Sequence, residues 1–331
     1  MHSDNHLDDI DRKLLNLVQL EFPLTVEPYA ELGVPLGIGG GEVIRRIEQL
    51  KTAGIIRQIG PVIDARSLGY RTTLVAMRVN ESQLDKAAQV IVEHPGVSHA
   101  YERGHHFNFW FTLTIPPATD PATELKRLTG PVGAEAVFAL PALKLFKLRV
   151  YFAMGDESQS AAEMETPPGE ILRTTVELSW LDRLVINELQ QDLPLVTQPF
   201  TDISDRLGMA VENLLARCRW LKQRGVMRRF GAAINHKRAG FQANAMTCWV
   251  APPDMVDAVG HRLAALREVS HCYERKTNPL WQYNLFAMVH EHSREMCQQL
   301  ADKVSAETGL GDCVMLFSTR EFKKVRVKYQ V

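Results

Sequence analysis

Apolar residues near the start of the chain, Ile10, Leu14, Leu15, Leu17 and Val18, recur at the spacing of one helix face. Pro23 and Pro28 interrupt that pattern, and a short second helix is expected near 29–32. A third runs over about 42–53, with Val43, Ile47 and Leu50 on one side and Gly54 placed as its stop. The run 55–63 is apolar and broken by Gly60, which suits strand. Three helices and a small hairpin make a winged helix-turn-helix. The period then changes. Strands are expected near 72–79, 97–103, 107–115 and 145–152, with helices near 82–93 and 120–130. The order β-α-β-β-α-β is the ferredoxin-like motif.

The whole arrangement occurs twice. Residues 11–70 align without a gap on 182–241, an offset of 171, with 17 identical pairs in 60. That offset is far beyond solenoid periods, so it marks a duplicated two-domain protein fused in tandem. The expected fold class is α+β, a tandem duplication of a winged helix-turn-helix plus a ferredoxin-like (βαββαβ) domain. The expected boundaries are 1–62 and 177–233 for the winged helices and 63–153 and 234–331 for the ferredoxin-like ligand or catalytic domains. The polar segment 154–176, containing Pro167-Pro168-Gly169, reads as a linker. Fusion leaves the halves free to diverge, so a single asymmetric site can lie between them.

Composition narrows the class. Hydrophobic residues make up 45% and charged residues 23%, as in ordinary globular proteins. There is no secretory signal pattern and no apolar run of membrane-spanning length. Five cysteines without a CxxC argue for reduced cytoplasmic thiols rather than a disulfide frame or zinc site. A net charge of −1 excludes a broadly basic coat for nucleic acid, so any cationic site must be local.

Two winged helices suggest DNA reading, but the presumptive reading helices are poorly equipped for it. The first opens Gly37-Ile38-Gly39-Gly40-Gly41, which offers base edges nothing beyond backbone; the second opens Met209-Ala210-Val211-Glu212, whose carboxylate phosphates repel. No sequence-specific DNA partner is therefore expected, although Arg217, Arg219, Lys222, Arg224, Arg228 and Arg229 make the second module locally basic.

The chemistry concentrates elsewhere. Val97-Ser98-His99-Ala100-Tyr101-Glu102-Arg103 recurs as Val269-Ser270-His271-Cys272-Tyr273-Glu274-Arg275. On a strand the side-chain period is two, so His99, Tyr101 and Arg103 share a face, as do His271, Tyr273 and Arg275. In the next strand Phe107, Phe109, Phe111 and Leu113 are expected to face the helices, leaving Asn108 and Trp110 with the polar set; Asn284 and Phe286 are the later equivalents. The last strands add Lys147 and Arg149, and Lys324 and Arg326. Two such faces opposed would enclose a cationic, aromatic cleft suited to a flat, multiply anionic ligand. The bland alternatives are structural histidines and a solvated edge strand. His105 and His106 are adjacent and point apart on a strand, and His290 and His292 lack a third ligand, so no metal site is expected.

With these motifs in hand, the chain resembles the leucine-responsive/asparagine regulator family twice over, and more specifically the siroheme decarboxylases. The likeness is carried by Val-Ser-His-x-Tyr-x-Arg in both halves, by 105–112 and 281–286, and by Phe322-Lys323-Lys324-Val325-Arg326-Val327. It implies removal of the C12 and C18 acetate carboxyls of siroheme, giving didecarboxysiroheme, in a fused form associated with d1-type heme biosynthesis. It implies no cofactor beyond the iron that the substrate carries, and either a homo-oligomer or companion decarboxylase subunits. Histidine suits the acid role because its pKa lies near neutrality. The candidates are His99, His105 and His271. Tyr101, Arg103, Asn108, Trp110, Lys147, Arg149, Tyr273, Arg275, Asn284, Lys324 and Arg326 are the candidates for binding. The competing readings are a transcriptional regulator sensing heme or a small anion, and a non-catalytic tetrapyrrole carrier.

Overall fold

The computed structural model describes residues 7–148, 175–235 and 243–331, and the backbone of the two-residue strand Gly169–Glu170. Arg149, most of the expected linker and the first residues of the second ferredoxin-like domain lie outside the described residues.

Each half opens with three helices: α1 Asp9–Leu20, α2 Pro28–Gly33 and α3 Gly40–Thr52, then α6 Trp180–Leu189, α7 Thr201–Arg206 and α8 Val211–Gln223. The entry to α1 is capped by Asp8, whose carboxylate accepts from Asp11 N; Ser179 and Asp182 form a capping box on α6. The helices share one core, in which Leu14, Val18 and Phe22 meet Phe200, Leu221 and Phe230. The Phe22 and Phe230 rings lie 5.9 Å apart. The two modules are thus one body.

Among the described residues the expected wing hairpins do not form. Each half supplies a single strand, β1 Ile56–Ile63 and β7 Met227–Ile234, and the two pair antiparallel with Gly60 opposite Gly231. The chain's internal symmetry sets the two strands edge to edge, so each satisfies the other's backbone. Glycine is required at the crossing, because a Cβ on Gly231 would sit 2.7 Å from Val18 O.

The basic residues of the second module are largely spent on this assembly. Arg219 donates to Leu24 O, Lys222 pairs with Glu21, Arg217 with Asp182, and Arg229 donates to Gln19 O. DNA affinity is accordingly expected to be weak and to fall steeply with salt, with no preferred duplex. Nanomolar, salt-tolerant retention of one sequence over random DNA in a mobility-shift titration would contradict this.

The ferredoxin-like parts comprise β2 Arg71–Arg78, α4 Leu84–Glu93, β3 Val97–Arg103, β4 Phe109–Ile115, α5 Pro121–Thr129 and β5 Ala136–Leu148. After the short β6 Gly169–Glu170, the second copy has β8 Ala243–Trp249, α9 Val256–Ala264, β9 Val269–Arg275, β10 Leu285–Glu291, α10 Arg294–Thr308 and β11 Cys313–Lys324. Helices cover one side of each sheet: Val75, Met77, Phe109, Phe111 and Leu113 pack under α4 and α5.

The sheets do not merely face one another. β5 begins nine residues earlier than the sequence suggests; it pairs with β2 over 136–141 and then crosses to β9 over 142–148. β11 does the reverse, pairing with β8 over 313–317 and with β3 over 318–324. The strands therefore close as β2-β4-β3-β11-β8-β10-β9-β5 and back to β2. Each final strand is too long for its own sheet, and its surplus satisfies the edge of the other. Closure removes both exposed edges and makes an eight-stranded barrel, a size whose interior holds packed side chains or one ligand. One end of the interior is plugged by Phe107, Trp110, Phe138, Trp281, Phe286 and Leu316.

Candidate functional site

Above the plug lies a cavity of about 1600 Å³, walled by the barrel and roofed by the β1–β7 ladder. Its described lining includes nine lysines and arginines against two carboxylates, Asp64 and Asp192. The His-Tyr-Arg faces of β3 and β9 both point into it. These strands stand on opposite sides of the ring, so the two copies confront each other across the lumen.

The arginines mark the two crossover points. Arg103 donates through Nη1 to Leu316 O at 2.7 Å, and Arg275 to Leu140 O at 2.9 Å, each reaching the strand that passes from one sheet to the other. Arg103 lies over the Tyr101 ring at 5.4 Å, and Arg275 over Tyr273 at 4.8 Å. Both Nε atoms are buried and, among the described residues, neither has a hydrogen-bond partner. Such a group costs free energy until an acceptor arrives, which makes the pair ready for anions.

The histidines are buried with them. His99 Nδ1 lies 2.9 Å from Ser98 Oγ, and His271 Nδ1 lies 2.7 Å from Ser270 Oγ. Burial, with Lys324 adding to it, drives His99 down to about 3 and His271 to about 4; burial and the neighbouring His271 drive His290 to about 3. All three are neutral at pH 7. Strand register places Lys324 opposite His99, whereas Leu148 stands opposite His271. Arg326 enters from above, donating to Pro61 O and Gly231 O of the wing ladder.

These depressed values carry a stability consequence. The unfolded chain takes up protons near the ordinary histidine value of about 6.5, while the folded chain resists them until about 3–4. Stability contributed by the neutral cluster is therefore present above pH 6.5 and lost progressively as pH falls towards 4. Thermal melts of the ligand-free protein should show the decline, and a His99→Gln, His271→Gln pair should flatten it. An unchanged slope would remove these histidines from the account.

Several expected binding residues do other work. Asn108 clasps Val79 through both its amide atoms, with Nδ2 donating to Val79 O at 2.8 Å, and Asn284 clasps Ala251 in the same way. Strands β4 and β10 begin one residue after these asparagines, so neither follows the alternation that would aim it inward. Lys147 is 1% exposed and donates to Ala264 O and Leu266 O, closing the C-terminus of α9. Its structural counterpart is Lys323, which closes α4 through Val92 O and His94 O. One residue of register thus separates Lys324, which lines the cavity, from the helix-capping pair. Trp110 lines the cavity as the floor, its Nε1 donating to Phe107 O and its ring 5.1 Å from Trp281. Phe107, expected under the helices, belongs to the same plug because it precedes β4 in the turn. His105 lies outside the cavity lining, half-buried with its ring 5.4 Å from Trp281; it accepts from Phe107 N, and burial lowers it to about 4.

The structure adds residues that the sequence did not single out. Ser98 and Ser270 lie inside the duplicated motif. Arg57 comes from β1, Asp64 from the residue just after it, and Tyr329 from the segment after β11, while Arg228, read from the sequence only as part of a basic module, joins them from β7. The repeat of Ser beside His was the available signal for the serines. No strand periodicity could have revealed that a wing roofs a barrel.

Comparison with known proteins agrees with this architecture. A family model described as the siroheme decarboxylase NirDL-like HTH domain matches residues 11–57 and 182–228, and an AsnC-like ligand-binding domain matches 67–147 and 238–323. A siroheme decarboxylase of Hydrogenobacter thermophilus is 40% identical over 96% of this chain and 94% of its own. The beta subunit of a siroheme decarboxylase from Methanosarcina barkeri is 39% identical over 44% of this chain and 97% of its own length. The crystal structure of the siroheme decarboxylase NirDL in complex with an iron-uroporphyrin III analogue superimposes with a TM-score of 0.73, at 36% identity, covering 98% of this chain and 95% of that one.

Proposed function

The chain belongs to the siroheme decarboxylase family, and from that premise we propose that its barrel binds siroheme and removes the C12 and C18 acetate carboxyls to give didecarboxysiroheme. The observation that carries the reading is the pair of His-Tyr-Arg faces confronting each other in a strongly cationic cavity of about 1600 Å³. Siroheme is flat and bears eight carboxylates. Arg103 and Arg275, with unsatisfied Nε atoms, suit carboxylates that stay on the ring. Tyr101, Tyr273 and the Trp110 floor suit its faces and edges.

The pyrrole ring serves as the electron sink. A histidine protonates the ring carbon next to the one that bears the acetate; the bond to the carboxylate breaks as CO₂ leaves, its electron pair forms the exocyclic methylene double bond, and the displaced ring pair moves through the conjugated ring to the cationic pyrrole nitrogen. The exocyclic methylene then takes a proton while the ring carbon returns its own, so each CO₂ lost leaves a methyl group and consumes one proton. The lining of the cavity by His99 and His271 supports them in this role, and the position of His105 outside the described lining gives it less support. Burial holds His99 and His271 neutral, but entering carboxylates favour their protonated forms, so the substrate itself equips the acids.

Half-length relatives named as separate alpha and beta subunits align with this chain, and the fused chain supplies both halves of one cavity. The test is anaerobic incubation of the purified protein with siroheme followed by mass analysis. Loss of two CO₂ masses is expected. Siroheme recovered intact after tight binding would favour a carrier or sensor.

A further inference from the structure

The two copies of the Ser-His pair are not equivalent. In the second half, Ser270 Oγ lies 2.7 Å from His271 Nδ1 and also 2.7 Å from Nε2 of His290, on the neighbouring strand β10. A carbonyl, Met288 O, is 3.4 Å away, too long to compete with either ring. In the first half the residue matching His290 is Thr114, whose hydroxyl turns instead to Thr72 Oγ1 at 3.1 Å. Asn244 replaces that Thr72 in the second half and is approached by Ser318 Oγ at 3.4 Å, leaving His290 directed at Ser270.

We propose that Ser270 and His290 are positioning residues that fix the ring and the tautomer of His271, a control that His99 lacks. This deepens the decarboxylase reading and rests on it for its consequence. A hydroxyl has one proton, so Ser270 donates to one imidazole and accepts from the other. The two rings are thereby tied. When Ser270 donates to His271 Nδ1, the neutral His271 carries its proton on Nε2, and His290 donates through its own Nε2. In that state His271 presents an N–H rather than a lone pair at its other nitrogen. The nitrogen that carries the proton is set by what the other one meets. Among the described residues, His99 has only the rotating hydroxyl of Ser98 against its Nδ1 and can settle in either tautomer. The two acetates of an asymmetric macrocycle would then meet one histidine whose tautomer is tied to that of a neighbouring ring and one that adapts freely, and the two losses of CO₂ would proceed at different rates.

The experiment compares wild type with Ser270→Ala, His290→Leu, His290→Gln and Thr114→Val. In the ligand-free protein, ¹⁵N-histidine NMR should show one tautomer for His271 in wild type and a mixture in Ser270→Ala and His290→Leu. With siroheme, those two variants should slow one decarboxylation by about ten- to a hundredfold, the range seen when the outer partner of a functional histidine is removed from metal sites. Mono-decarboxylated siroheme should accumulate, while siroheme affinity by Soret titration stays close to wild type. His290→Gln, whose amide can still donate to Ser270, should recover most of the rate, and Thr114→Val should change neither readout. Wild-type tautomer and product ratio in both Ser270→Ala and His290→Leu would overturn the proposal. If the wild-type protein leaves siroheme intact, the decarboxylase reading fails, and the tautomer measurement still decides the role of Ser270 and His290.

Discussion

His99→Ala and His271→Ala should each lose about 10²–10⁴-fold in rate, the usual cost of removing a general acid, while still binding siroheme. Binding should survive because neither ring belongs to the guanidinium pair or to the aromatic floor, and folding should survive because neither belongs to a hydrophobic cluster. Each substitution exchanges a buried neutral imidazole, held through a serine on its own strand, for a small apolar side chain. The two should differ in which product accumulates, since the histidines stand on opposite sides of the barrel. His105→Ala should keep its activity and lose some stability, because its ring packs on Trp281 behind the plug. Stopped-time mass analysis of each variant checks this, with Soret titration in parallel. Full activity in both His99→Ala and His271→Ala would return these residues to structural roles.

Arg103→Leu or Arg275→Leu should act on affinity instead. A charge-assisted hydrogen bond to a carboxylate contributes about 1.5–3 kcal/mol, so each loss should weaken siroheme binding by about tenfold to more than a hundredfold. Each guanidinium also holds a crossover carbonyl, Leu316 O or Leu140 O. The variants should therefore melt lower, and binding must be compared well below the melt. Arg→Lys at the same positions separates the effects, since a lysine keeps the charge but cannot donate to backbone and ligand in the same fork. Lys147→Met is the contrast: it leaves the Ala264 and Leu266 carbonyls unsatisfied and should lower Tm with siroheme affinity unchanged. Unaltered affinity in both arginine variants would mean that the carboxylates are held by other cations of the lining, such as Arg326 and Lys324.

The duplication, the helix faces and the ferredoxin-like order were legible because each is written in local periodicity or in self-similarity. The inward face of β3 and β9 was legible for the same reason: alternation assigns His, Tyr and Arg together. What local pattern could not convey is pairing between strands far apart in the chain. The surplus length of β5 looks like a connecting segment until β9 is there to receive it, so the strand was placed nine residues late. The register of Lys147 shows the same limit. Lys147-Leu148-Arg149 and Lys323-Lys324-Val325 both read as alternating basic strands, and only the helix each lysine caps reveals that 147 matches 323 rather than 324. Asn108 and Asn284 escape the alternation because each lies just before its strand, where the period of two does not hold.

The exchange of strand ends also sets an order of events in time. The wall beside His99 is completed by residues 318–324, which follow it by more than 200 positions. Until those residues emerge, β3 is an unpaired edge and the first ferredoxin-like unit has no lumen. Contacts so distant along the chain are slow to form because the closure entropy must be met before they contribute. A nascent chain would therefore finish this chamber among its last acts of folding, once both halves are present.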